Sequence, residues 1–77
     1  MSKLVYVSST HGDWSGLYVD NQLDYEGHSI PVWVWIDLFN LNSVSEAVQF
    51  EVDGLWLEEE GGSFPQSFYD IPKGRIV

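Results

Sequence analysis

A chain of 77 residues without cysteine has room for one domain and no access to disulfides or thiolate metal sites. Twelve acidic residues against Lys3, Lys73 and Arg75 give a formal charge of −9, which excludes nucleic-acid backbones and anionic membranes as favourable partners and favours basic protein surfaces. An aromatic content of 16% excludes disorder; a domain that buries only about 60–65% of its unfolded surface also needs reinforcement, here expected from self-association.

The N-terminal stretch MSKLVYVSST holds one lysine and a short apolar run, too brief for a signal-peptide core or a membrane crossing, so a soluble cytoplasmic protein is expected. Residues 3–8, KLVYVS, are β-branched and aromatic and read as a strand. SSTHGDWSG follows as a polar, glycine-punctuated loop. In GLYVDNQLDYEGH, Leu17 and Val19 alternate with Tyr18, and Leu23 and Tyr25 with Asp24. Asp20-Asn21 between them tolerates positive φ, which predicts a β-hairpin.

The run SIPVWVWIDLFNLN is compatible with a strand or a helix. As a helix it places Pro31 in the first turn and Val32, Trp35, Ile36 and Phe39 on one face. Val34, Leu38 and Leu41 widen the apolar arc, and Asn40, Trp33 and Asp37 share the remaining sector. That convergence of polar residues favours the helix, although β-branched residues count against it. On this reading Trp35 belongs to the core, the Val34–Leu38–Leu41 flank needs a second subunit, and Trp33 lies at the edge of the buried area.

AVQFEV, residues 47–52, alternates as a strand. DGLWLEEEGG reads either as a hairpin pairing Phe50 with Leu57 or as a short helix capped by Asp53 and stopped by Gly61-Gly62. Three glutamates suit a strand poorly and favour the helix, even though they oppose its dipole. The tail packs irregularly through Phe64, Phe68, Tyr69 and Ile71. The expectation is one α+β domain over residues 1–77, an antiparallel sheet of N-terminal strand and hairpin packed on one main helix, in the order β-β-β-α-β-(short α).

The segments GDWSGLYVDNQLDYEGHS and WLEEEGGSFP, with the apolar run between them, resemble a group of small bacteriophage proteins. The resemblance covers a little over half of the chain and implies the same element order, with Asn21 where a hairpin-turn glycine is usual. It implies no catalytic residues. It does imply counter-defence, by binding a host protein or sequestering a host signal.

His11, Asp13 and His28 are the residues closest to a metal or acid–base set, but no third ligand and no nucleophile in a recognisable setting accompanies them. No enzyme, metal or cofactor is therefore expected. Backbone N–H groups of the SSTHGDWSG loop can cradle an anion, and Trp14 beside it offers a face for a nucleobase. Together these define an expected ligand set of His11, Asp13, Trp14, Tyr18, His28, Trp33, Lys73 and Arg75, holding a small nucleotide immune signal in a homo-oligomer. The alternative is an acidic inhibitor of a basic host protein, with partial mimicry of a phosphate row. That reading uses Trp56, Glu58, Glu59 and Glu60, with Leu38 and Leu41 also placed at a protein interface.

Overall fold

The computed structural model describes residues 2–11, 14–41 and 44–77. Its elements are β1 (Ser2–Ser9), β2 (Ser15–Val19), β3 (Gln22–Gly27), α1 (Val32–Leu41), β4 (Val44–Val52) and α2 (Gly54–Glu59), followed by 3-10 turns at Phe68–Asp70 and Lys73–Arg75. This is the expected α+β order, with a helix in the ambiguous apolar run and a strand followed by a helix over 47–58. The sheet runs β3-β2-β1-β4. β1, β2 and β3 are antiparallel neighbours, whereas β4 lies parallel to β1 and makes the sheet mixed. A parallel neighbour requires a crossover, and α1 supplies it.

The two-residue period of the strands divides the apolar side chains between two cores. On one face Leu4 and Leu17 meet Val34 and Leu38 of α1, with Tyr6, Tyr25, Ile30 and Trp35 around them. On the other, Val5, Val7, Tyr18 and Val52 meet Trp56 and Leu57 of α2 and Phe64 and Ile71 of the tail. The tail is thus half of a third layer. Tyr69, expected inside, is instead exposed.

Asp20 (φ 51°) and Asn21 (φ 70°) both take positive φ between the paired residues Val19 and Gln22, as a two-residue hairpin turn demands. Beyond the turn, Tyr18 pairs with Leu23 but Leu17 pairs with Tyr25, leaving Asp24 as an extra residue in a β-bulge. The bulge sends Leu23 to the α2 face and Tyr25 to the α1 face. Simple alternation places them on the same side.

The Asp20 carboxylate accepts a hydrogen bond from the Lys3 backbone N–H at 2.9 Å. That bond, then the Ser2 hydroxyl, holds its pKa below the ordinary carboxylate value. A depressed folded-state pKa contributes stability above the unfolded value near ~4, lost as pH falls through the folded value. Asp20→Asn is expected to remove this part of the acid dependence, read as a flatter stability profile below about pH 4.

Asp53 caps α2 by accepting from the Leu55 N–H at 3.0 Å, and Gly61 and Gly62, with φ of 90° and 80°, end it. The tail then blunts one end of each edge strand. Leu23 N–H donates to Gln66 O at 2.7 Å on β3, and Val77 N–H donates to Glu51 O at 2.8 Å on β4. No described helix is long and apolar enough to cross a membrane.

Candidate functional site

α1 is apolar on nearly every side, a pattern that in a folded protein belongs to a helix covered on two faces. The sheet covers one. Val34 and Leu38, one turn apart, are 4% and 5% exposed, while Val32, Ile36 and Phe39 point the opposite way at 71%, 53% and 52%. Trp33 and Leu41 extend the exposed strip along one shoulder. Trp35 forms the other, half-buried, its ring 5.8 Å from that of Tyr6.

This reverses the expected orientation. Val32, Ile36 and Phe39, which share a face with the expected core residue Trp35, turn outward, while Val34 and Leu38 of the flank expected at an interface turn inward. With apolar residues all round, periodicity does not select the inward face. The sheet takes the side whose contacts are the compact Val34 and Leu38, allowing close helix–sheet approach while the larger rings straddle the line of contact.

On the Trp33 shoulder, α1 and β3 enclose a groove of about 430 Å³. Trp33 meets the Tyr25 ring edge-on, with centroids 6.2 Å apart and planes at 84°. Leu38 and Leu41 continue the apolar lining, and Asp24 and Asp37 supply its only charged groups among the described residues. The bulge builds one wall: it turns Tyr25 toward α1 and leaves Asp24 at the rim.

The expected ligand residues do not form one site. His11 lies against Gly54, and with Ser9, Trp14, Leu57 and Glu58 lines a separate cleft of about 200 Å³. Trp14 Nε1 donates to Glu26 Oε1 at 3.0 Å, and the same oxygen accepts from the Phe64 N–H at 3.0 Å. The Trp14 ring meets His28 edge-on at 5.0 Å. These contacts make Trp14 a brace between β2, β3 and the tail. Asp13 lies outside the described residues.

Tyr18 is fully buried, and its hydroxyl donates to Pro65 O at 2.6 Å. Burial, and then the negative charges of Glu26 and Asp70, push its phenol pKa far above the ordinary value. It is a core residue and not a stacking platform. Trp56 is corrected in the same way: the Asp53 cap turns it inward, where it packs under Phe64 and Ile71. Glu58, Glu59 and Glu60 remain exposed at the end of α2.

The cations are also dispersed. Lys3 Nζ lies 4.0 Å from Glu46 Oε2, and Arg75 Nη1 lies 3.3 Å from Asp53 Oδ2. Glu46 and Asp53 are separated by about 23 Å of extended chain. The N- and C-terminal cations therefore do not meet within one protomer, and Arg75 of the expected ligand set lies beside a carboxylate instead. Among the described residues no group of three His, Asp or Glu side chains converges on a common point.

The surface residues that sequence reasoning missed are Ile36, Phe39 and Val32 on the outward face and Asp24, Tyr25 and Asp37 in the groove. For the first three, a signal was present in the absence of any polar face wide enough to be the solvent side of α1. The chain matches no protein-family model, and no curated protein or solved structure matches it. Fold and surface together define a small two-core α+β module whose most distinctive surface is an uncovered apolar helix.

Proposed function

We propose that this chain is a non-catalytic binding protein that pairs with a second copy of itself through the outward face of α1 and engages a basic protein partner, in a counter-defence role. The observation that carries the reading is the exposure of Val32, Ile36 and Phe39 on the side of α1 opposite its sheet contacts. Aromatic side chains offer about 150–250 Å² each and aliphatic ones less, so Val32, Ile36 and Phe39, with Trp33 and Leu41 at the edge, expose on the order of 600 Å². That lies at the upper end for a monomer's largest apolar patch, and near the ~800 Å² per partner of a stable interface.

A two-fold pairing suits the charge as well. Val32, Ile36 and Phe39 carry none, so two copies can meet there with their acidic groups left at the rim. The dispersal of Lys3 and Arg75, each beside a carboxylate, favours a basic protein over an anionic nucleotide as the target. Counter-defence itself rests on the resemblance to small bacteriophage proteins.

Sedimentation equilibrium of the intact chain tests the pairing. A species of twice the 8.8 kDa protomer mass is expected. Its association should tighten as salt rises, because screening relieves repulsion between two protomers of charge −9. A single 8.8 kDa species at every concentration and salt would overturn it.

A further inference from the structure

We infer that the groove between α1 and β3 is the docking site for a lysine- or arginine-bearing apolar segment of a protein partner. The inference rests on the proposed role as a protein-binding module and specifies where, and by what chemistry, the partner is held. The groove, at about 430 Å³, falls within the ~300–1,000 Å³ of pockets that bury a ligand. Its walls are the Trp33–Tyr25 pair, Leu38 and Leu41, and its charges are two carboxylates and no cation.

That combination matches a long basic side chain. The aliphatic stem of a lysine or arginine lies along Trp33 and Leu41 while its charged head reaches Asp24 or Asp37. A guanidinium gains further by stacking on an indole face. An anion is disfavoured twice, by the two carboxylates and by the chain's net charge of −9. A second copy is a poor occupant, because the chain has only three basic residues and two of them already lie beside Glu46 and Asp53. The groove sits on the Trp33 shoulder, beside the outward strip of Val32, Ile36 and Phe39. Pairing centred on Val32, Ile36 and Phe39 leaves the Asp24, Tyr25 and Asp37 side of the groove uncovered, with Trp33 and Leu41 shared at the boundary.

The test titrates a fluorescently labelled amphipathic lysine/leucine peptide into the intact chain, with anisotropy giving affinity and backbone amide shifts giving location. Shifts are expected at Asp24, Tyr25, Trp33, Asp37 and Leu41. Asp24→Asn with Asp37→Asn should weaken binding by roughly five- to tenfold, the combined effect of two partly exposed ion pairs. Glu58→Gln with Glu59→Gln removes the same charge elsewhere and should change affinity by less than about twofold.

Equal losses in the two double variants would reduce the interaction to net charge and overturn the inference, as would shifts centred on α2. AMP is expected to leave the Trp33 indole unshifted; a shift there would instead favour a nucleotide occupant and overturn the inference. Sedimentation of the Asp24→Asn, Asp37→Asn variant should match that of the unaltered chain. Conversion to a monomer would mean that the groove belongs to the pairing interface. An unaltered chain that sediments as a monomer yet shows the expected shifts would remove the pairing and leave the groove assignment standing.

Discussion

Replacing Ile36 and Phe39 together by glutamate is expected to turn the paired protein into a stable monomer, with association weakened by at least ~100-fold. In a two-fold interface each substitution occurs twice, so four carboxylates would be buried against apolar surface without partners, each costing several kcal/mol. Folding should be nearly unaffected. Both positions face away from the sheet core of Val34 and Leu38, and glutamate is a good helix former. Circular dichroism melting should therefore change by no more than an exposed substitution does, about 0.5 kcal/mol, while sedimentation reports one protomer. An unchanged sedimenting mass would show that the pairing face lies elsewhere.

The second large effect is on stability. A Cβ placed on Gly54 would lie 2.7 Å from the backbone nitrogen of His11 and 2.8 Å from its Cγ. His11 is not free to retreat. Thr10 N–H donates to Val52 O at 3.0 Å, and Thr10 Oγ1 accepts from Gly54 N–H at 3.0 Å, so the residue before His11 is tied both to the end of β4 and to the start of α2. Gly54→Ala must therefore break these bonds or shift the start of α2. Overpacking of this kind with loss of a hydrogen bond costs about 2–4 kcal/mol. In a domain of this size that lowers the melting temperature by on the order of 15 °C. Gly74→Ala, where nothing lies within 4 Å of the added carbon, is the matched control and should shift stability by less than about 0.5 kcal/mol. Equal melting temperatures for the two variants would contradict the close packing of His11 on Gly54.

The elements most readable from the sequence were those whose signals are local. Asp20-Asn21 specified the hairpin because few residues adopt positive φ, and Asp53 with Gly61-Gly62 bracketed α2 by capping chemistry. What sequence did not carry was the choice of faces. α1 has only a narrow polar sector at Asp37 and Asn40, so its 3.6-residue period favoured a helix without saying that Val34 and Leu38, and not Ile36 and Phe39, turn inward. β3 alternates regularly in sequence, yet the bulge at Asp24 separates Leu23 from Tyr25 by a sheet thickness.

The expected site failed for a related reason. Aromatic excess signals burial and exposure alike, and only the three-layer packing shows that Tyr18 and Trp56 serve the second core while Trp33 stays outside. Trp33 and Leu41 were readable as surface residues. Asp24 and Asp37 were not, because nothing local brings a hairpin aspartate and a helix aspartate to the two rims of one groove. The dispersal of Lys3 and Arg75 is likewise a matter of topology: parallel pairing of β1 with β4 puts their carboxylate partners at opposite ends of one strand.

Cross-linking tests the pairing of two α1 helices at single positions, since the chain has no cysteine of its own. Single cysteines are placed in turn at Val32, Ile36 and Phe39, with Glu59→Cys as an equally accessible control, and each variant is oxidised gently. A disulfide needs Cβ atoms about 3.5–4.5 Å apart, a condition met only where two copies of α1 lie face to face. Rapid covalent dimer is expected from at least one of the three α1 positions and little from the Glu59→Cys control. Dimer formation no faster from any α1 position than from that control would overturn pairing through the outward face of α1.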